Sequence, residues 1–315
     1  MPDTVGNKVL IAAPVHPVLT HGLTEAGYNC EVCENIVQAA AYELIGDCVG
    51  VITSTRLQLD KELLDRAPKL QWIGRMGSGM EVIDVPYAEA LGIACYASPE
   101  GNCDAVGEHA MGMLLALLRR INWSQREMRK GLWMREENRG AELGGKTVAI
   151  IGYGHTGKAF AKKLRGFDVR ILAYDKYAPD SIPEHIEKCE SLHTVFEHAD
   201  IVSFHVPIQE DTFHYFNEGF LRQMQKPFIL INTSRGPVVD TRVLLQGVEE
   251  GKIAGVCLDV FEQEPISRFD AATIERLELL FSRPDVIVTP HIAGYTYEAL
   301  YKMSKVLLRK ITNQA

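Results

Sequence analysis

Three short segments of the chain place polar or charged side chains directly after an apolar, β-type run. They are Asn232-Thr233-Ser234-Arg235-Gly236, Asp259-Val260-Phe261-Glu262-Gln263-Glu264-Pro265 and Thr289-Pro290-His291-Ile292-Ala293-Gly294. In an open parallel sheet the carboxyl ends of the strands are where ligands bind. Arg235 offers a planar fork of donors, suited to gripping a carboxylate and polarising a carbonyl beside it. His291 carries an imidazole, which gives and takes a proton near neutral pH. A carboxylate close to that ring would favour the imidazolium and fix its orientation. The second segment holds Asp259, Glu262 and Glu264. An acid in a loop is by default solvated, so the residues alone do not choose among them.

A fourth segment has a different chemistry. An apolar run over 147–151 leads into Gly152-Tyr153-Gly154-His155-Thr156-Gly157 and then into a helical stretch over 158–165. The first glycine permits a tight turn, the second lets backbone approach a pyrophosphate, and the third allows close helix packing, while amides of the helix start face the phosphates. A lone glycine pattern is weak, because glycine-rich turns are common. Here the next expected strand ends at Asp175, where a carboxylate can accept hydrogen bonds from an adenosine ribose. Strand, glycines, helix, strand and acid together indicate a dinucleotide site. Asp175 would repel a ribose phosphate and so favours NAD over NADP; Lys176 softens that preference without reversing it.

These segments need a scaffold, and the apolar patterning supplies one. Short runs at 9–13, 48–53, 70–74 and 92–96 alternate with helical stretches, the rhythm of βαβ units. A helical pattern is expected over 104–130, with Val106, Ala110, Met113, Leu114, Leu117, Leu118 and Ile121 at three- and four-residue spacing. It reads as a connector, ended by the polar stretch 136–145. A second series follows at 146–151, 169–174, 200–205, 227–232, 253–259 and 285–289, rich in Val and Ile, as in a parallel sheet buried on both faces. A last helix carries Leu300, Met303, Leu307 and Ile311 on one face; periodicity does not say which domain it joins.

Composition narrows the classes. The 315 residues, 46% hydrophobic and 23% charged, have the balance of a globular chain with room for two cores. A formal charge of −8 disfavours nucleic acid or an anionic membrane as the default partner. The apolar stretch 111–118 is too short to span a bilayer and the start, Met1-Pro2-Asp3-Thr4, does not look like a cleavable leader, so a cytoplasmic protein is expected. Seven scattered cysteines suit a reducing compartment. Cys30 and Cys33 form a Cys-x-x-Cys pair, but in a β-type run with no second ligand pair at metal spacing, so no metal is expected.

With the three polar segments standing in order behind the glycine fingerprint, the chain resembles the D-isomer-specific 2-hydroxyacid dehydrogenase family over nearly its whole length. The resemblance implies an α/β protein: a Rossmann-type doubly wound NAD domain plus a flavodoxin-like α/β substrate domain. We take the substrate domain as 1–100 completed by 292–315, and the NAD-binding domain as 101–291. It implies an NAD-dependent enzyme that moves a hydride between nicotinamide and C2 of a small D-2-hydroxy or 2-oxo acid. The family's arginine, glutamate and histidine fall on Arg235, Glu264 and His291, the Glu-Pro ending singling out Glu264. Asp259 resembles the residue that holds the nicotinamide carboxamide. Thr233, His205, Val206, Pro207 and Gly294 fall among positions that line the cofactor, with Gly152, Gly154, His155, Thr156, Gly157 and Asp175.

In the first half, Gly74-Arg75-Met76-Gly77-Ser78-Gly79 resembles the family's substrate loop, where glycine-rich turns make an anion nest, with Ser78 and Gly79 as contributors. Arg75 matches phosphoglycerate dehydrogenases, where a basic residue would help a phosphorylated acid; the alternative is an ordinary salt-bridge partner. Met80-Glu81 departs from the Asp-Asn of many relatives, and 266–284 is longer than the usual link between the glutamate and histidine motifs. No regulatory domain is expected after the last helix. A 3-phosphoglycerate-like substrate is the first expectation, with hydroxypyruvate or glyoxylate reduction close behind. Two readings from other classes are an NAD-sensing corepressor-like protein and a nucleic-acid binder using Arg119, Arg120, Trp123, Arg126, Arg129, Lys130, Trp133 and Arg135. The second is set against a solvated or dimer-facing arm, and a homodimer is expected. Replacing Asp175 with Ala should erode the preference for NAD over NADP when both are titrated; an unchanged preference would remove Asp175 from the site.

Overall fold

The structure is a computed structural model and describes residues 6–177 and 182–313. It divides into two compact units, one made of 1–103 and 295–315, the other of 104–294.

The first unit is built on a five-stranded parallel sheet. Its strands are β1 (Lys8–Ile11), β2 (Asn29–Val32), β3 (Cys48–Thr53), β4 (Trp72–Arg75) and β5 (Ala94–Ala97), in the order β2-β1-β3-β4-β5. That is the flavodoxin-like winding. Central β3 and β4 are buried at every residue, whereas edge strand β2 is half exposed. Cys30 and Cys33 lie on and just beyond this edge strand, and both are free thiols.

The helix Tyr297–Thr312 closes the first unit, which resolves what periodicity left open. Thr296 caps it by accepting from the Ala299 N–H at 3.0 Å. Glycines let it approach closely. A Cβ on Gly101 would stand 2.5 Å from the backbone of Met303, and one on Gly22 would stand 2.3 Å from a methyl of Leu308.

The second unit holds seven parallel strands: β6 (Thr147–Ile151), β7 (Arg170–Tyr174), β8 (Ile186–Lys188), β9 (Ile201–Phe204), β10 (Phe228–Asn232), β11 (Ile253–Leu258) and β12 (Val286–Val288). Their order, β12-β11-β10-β9-β6-β7-β8, is a Rossmann winding whose direction reverses between β6 and β9. Strands β6, β9 and β10 are buried at every residue, as their Val and Ile content requires of a sheet covered on both faces. Strand β8 gave no sequence signal because it has three residues and only Ile186 is buried.

Two stretches differ from their expected form. The pattern over 104–130 is not one helix. It begins earlier, as Pro99–Leu118, and stops at Arg120, which has φ of 53°, before Ile121–Met128. The carbonyl of Leu118 accepts instead from the Ala141 N–H at 2.9 Å, so the returning chain takes the acceptor that a continuing helix would need. The long 266–284 stretch contains the helix Ala271–Phe281, capped by Asp270, which buries Leu277 and Leu280 and makes the crossover from β11 to β12.

Candidate active site

The carboxyl ends of β6, β9, β10, β11 and β12 carry the polar segments. After β6, Gly152 adopts φ of 95°, a conformation that favours glycine, and a Cβ there would meet the backbone of His205 at 2.7 Å. A Cβ on Gly157 would lie 2.0 Å from the Gly152 carbonyl oxygen, so the helix His155–Leu164 is seated directly on the turn. Gly154, between them, has nothing within 4 Å of such a Cβ. The open face of the turn is therefore at the glycine expected to admit a pyrophosphate. His155 and Thr156 begin the helix, whose first amides face the same way.

Asp175 lies just past β7 and closes the turn from the side. Its Oδ2 accepts from the Tyr153 N–H at 2.6 Å and its Oδ1 from the Tyr177 N–H at 2.7 Å. Lys176 pairs with Asp211 at 3.0 Å, and that hydrogen bond raises its pKa. Past β9, His205 is buried, and burial pushes its pKa down to about 3, so the ring is neutral. Its Nε2 meets Ser203 Oγ at 2.8 Å, while its Nδ1 and the Thr233 hydroxyl are buried without a hydrogen-bond partner among the described residues. Buried polar atoms left this way are costly unless something supplies the missing bond. Val206 packs on Gly152, and the Pro207 carbonyl accepts from Thr212 Oγ1 at 2.6 Å.

The loops after β10, β11 and β12 converge. Asn232, fully buried, shapes the first: its Oδ1 accepts from the Ser234 N–H at 3.1 Å and its Nδ2 donates to the Arg235 carbonyl at 2.9 Å. A Cβ on Gly236 would stand 1.7 Å from the Phe261 carbonyl oxygen, so only glycine lets the first loop lie against the second. In the second loop Glu264 Oε1 accepts from the Phe261 N–H at 2.9 Å and Oε2 meets His291 Nδ1 at 2.7 Å. Burial by itself pushes Glu264 up. The hydrogen bonds from His291 and Phe261, and the charges of His291 and Arg235, outweigh it and hold the carboxyl below its usual value. An ionised carboxylate only accepts, so Nδ1 of His291 carries a proton and Nε2 is the atom left to act.

His291 itself has φ of 56°, a strained conformation for this residue type. Asp259, 1% exposed, holds it there. The Asp259 carbonyl accepts from the His291 N–H at 2.7 Å. Its Oδ1 accepts from the Thr289 hydroxyl at 2.6 Å and the Ile292 N–H at 2.8 Å, and its Oδ2 from the Ala293 N–H at 2.8 Å.

A family model for the D-isomer specific 2-hydroxyacid dehydrogenase NAD binding domain matches residues 111–293. The chain belongs to the D-isomer-specific 2-hydroxyacid dehydrogenases. It is 39% identical to a glyoxylate reductase of Thermofilum pendens, over 81% of this chain and 74% of the relative. It is 30% identical to a D-3-phosphoglycerate dehydrogenase of Archaeoglobus fulgidus, over 98% of this chain and 57% of that longer protein. A D-lactate dehydrogenase of Aquifex aeolicus, solved with NAD and lactic acid, superposes with a TM-score of 0.82 at 26% identity, covering 97% of this chain and 94% of its own. As a member of this family the chain is an NAD-dependent dehydrogenase.

For a dehydrogenase of this family, two positions escaped the sequence reading. His109, on the helix Pro99–Leu118, meets Thr289 Oγ1 at 2.9 Å and stands 3.6 Å from Asp259 Oδ1. The single hydroxyl proton of Thr289 goes to Asp259, so His109 Nε2 is the donor to Thr289. The available signal was a histidine three residues from Val106 and four from Met113, on the helix's apolar stripe. Ser98, fully buried, is the other: it accepts from the Gly77 N–H at 3.0 Å and donates to the Arg75 carbonyl at 3.0 Å. It thereby shapes the loop expected to bind substrate, in the first unit. There Ser78 donates to Asn102 Oδ1 at 3.0 Å, Gly77 has φ of 142°, and Gly79 is half-buried. Arg75 is 7% exposed and turns back to donate to the Met76 carbonyl.

No helix among the described residues is long and apolar enough to cross a membrane. The lowered pKa of Glu264 makes a prediction. Its contribution to stability is present above the unfolded carboxyl value of about 4.5 and is lost as pH falls through the lower folded value. In denaturant titrations from pH 7 to pH 3, the unfolding free energy of the native protein should fall more steeply across that window than that of Glu264→Gln. The two curves should run parallel if the pairing adds nothing.

Proposed function

We propose that this dehydrogenase reduces a small unphosphorylated 2-oxo acid, of glyoxylate or hydroxypyruvate size, to the D-2-hydroxy acid. The observation that carries the substrate size is Arg75. Its match to phosphoglycerate dehydrogenases would favour a phosphorylated acid, but the side chain is buried and its guanidinium donates to the Met76 carbonyl of its own loop. The glyoxylate reductase is also the more similar of the two relatives by identity.

The residues carry the chemistry as follows. Arg235 grips the acid's carboxylate and polarises the neighbouring carbonyl. Glu264 holds the Nδ1–H of His291, and His291 Nε2 gives a proton to the carbonyl oxygen as an alcohol forms. NAD(H), when bound, supplies or accepts the hydride at C2. The open turn at Gly154 suits the cofactor's pyrophosphate, the Asp175 carboxylate its adenosine ribose, and the orphaned Thr233 hydroxyl and His205 Nδ1 the remainder of the molecule. Asp259 acts by holding the His291 loop, beyond the carboxamide role that the family resemblance gives it. Ser78 and Gly79 are the proposed substrate contacts of the first unit.

A panel of phosphohydroxypyruvate, hydroxypyruvate, glyoxylate and pyruvate, assayed by NADH oxidation at neutral pH, tests this reading. Hydroxypyruvate or glyoxylate should turn over fastest, and His291→Ala should lower kcat by about 10²- to 10⁴-fold with NADH affinity kept. Preference for phosphohydroxypyruvate that is lost in Arg75→Ala would instead establish the phosphorylated substrate.

We also propose a homodimer formed through the segment that follows the helix break. Ile121, Met128, Leu132, Trp133 and Met134 are all exposed there, with Trp133 at 74%. Exposed apolar surface of this density is typical of an interface. Light scattering should return twice the chain mass, and Trp133→Arg should shift the protein toward monomer; a monomeric native protein would refute the proposal.

A further inference from the structure

The dinucleotide turn has a second side. Tyr153 follows Gly152, and its backbone belongs to the turn, but its side chain points to a cavity of about 400 Å³. The helix His155–Leu164 and the residue after it form one wall with Lys158, Lys162 and Arg165. Their spacing puts all three on one helix face, spread over roughly 10 Å at 1.5 Å per residue. Pro183 and His185, leading into β8, form part of the opposite wall. Among the described residues no aspartate or glutamate lines the space.

Two observations separate this groove from a solvated basic face. Other cations of the unit are paired, among them Lys163, on the same helix, with Glu108 at 2.9 Å and Lys226 with Asp200 at 2.7 Å. Lys158, Lys162 and Arg165 have no carboxylate partner among the described residues, in a chain whose net charge is −8. The floor is the second. Tyr153 is only 5% exposed, yet its hydroxyl has no hydrogen-bond partner among the described residues, and Lys158 lies 5.7 Å above its ring. Burial raises the pKa of this phenol, so it stays a donor. The hydroxyl of a nearly buried tyrosine, with no protein partner among the described residues and beside three cations in a cavity, suits an acceptor-rich anion. A second cavity of this unit, about 390 Å³ at the amino ends of the strands, differs: Arg120, Arg139 and Lys146 share it with Asp200 and Asp285.

We propose that the Tyr153 groove is an anion site separate from the dinucleotide loop, and that it takes a small molecule carrying one or two phosphate groups. The volume is that of a small-molecule pocket. The row of cations is long enough for two phosphates, Arg165 adds a fork that matches phosphate geometry, and the Tyr153 hydroxyl donates at the floor.

Inorganic pyrophosphate is the probe. It is titrated calorimetrically into the full chain already saturated with NADH, at constant ionic strength. The expected result is one further saturable site per chain. Its affinity should fall at least tenfold in the Lys162→Ala/Arg165→Ala double variant, and also in Tyr153→Phe, while the double variant keeps the native affinity for NADH. Both lysine and arginine are exposed, so the double variant should fold as the native chain does. Absence of pyrophosphate binding once NADH is saturating would place the anion in the dinucleotide loop and overturn the proposal. Native-like pyrophosphate affinity in the double variant would overturn it equally.

Discussion

The site depends on one buried carboxylate. Asp259 is almost entirely removed from water, a state that is expensive for a charged group unless hydrogen bonds replace the lost solvent. The replacements all come from the segment 289–293: one hydroxyl, two backbone amides at the carboxylate, and the His291 amide at the backbone carbonyl. The exchange works in both directions. The segment solvates the acid, and the acid holds His291 in a left-handed conformation that the residue would not adopt unsupported. His109 extends the arrangement by donating to Thr289, which leaves the threonine proton committed to Asp259.

The same economy fixes Arg235 and Glu264 relative to one another. Gly236 lets the Arg235 loop touch the backbone at Phe261, closer than any side chain would allow. Glu262, the acid that competes with Glu264 in the sequence, has a different task. Its Oε2 accepts from the Thr241 N–H at 3.0 Å and its Oε1 meets His214 at 2.7 Å, tying the two loops together again from behind. Two neighbouring glutamates thus divide the work: Glu262 fastens the loops and Glu264 addresses the imidazole.

Electrostatics divide along the same unit. Where the three loops converge, His291 and Arg235 hold the Glu264 carboxyl below its usual value. Beside the glycine turn, the outer face of the following helix has cations without a carboxylate partner among the described residues. One short helix therefore serves two surfaces, its amides turned to the dinucleotide loop and its Lys158, Lys162 and Arg165 turned to the groove beside Tyr153.

The sequence by itself determined what local chemistry dictates. Glycines required by a tight turn, Val- and Ile-rich runs buried on both faces, and polar residues set at strand ends are all readable along the chain, and with the family's motifs they give the two-sheet α/β architecture and the candidates Arg235, Glu264 and His291. Tertiary structure decided whatever depends on residues far apart in the chain. The end of the helix at Leu118 is set by Ala141, which takes its carbonyl. The final helix belongs to the first unit because Gly22 and Gly101 make room for it. The roles of Glu262, His109 and Ser98 exist only where distant loops meet, and Arg75, which the sequence offers as a phosphate contact or a salt-bridge partner, is buried and donates to its own loop. Periodicity reports which face of an element is apolar; it carries no record of which donor finds which acceptor once the elements pack.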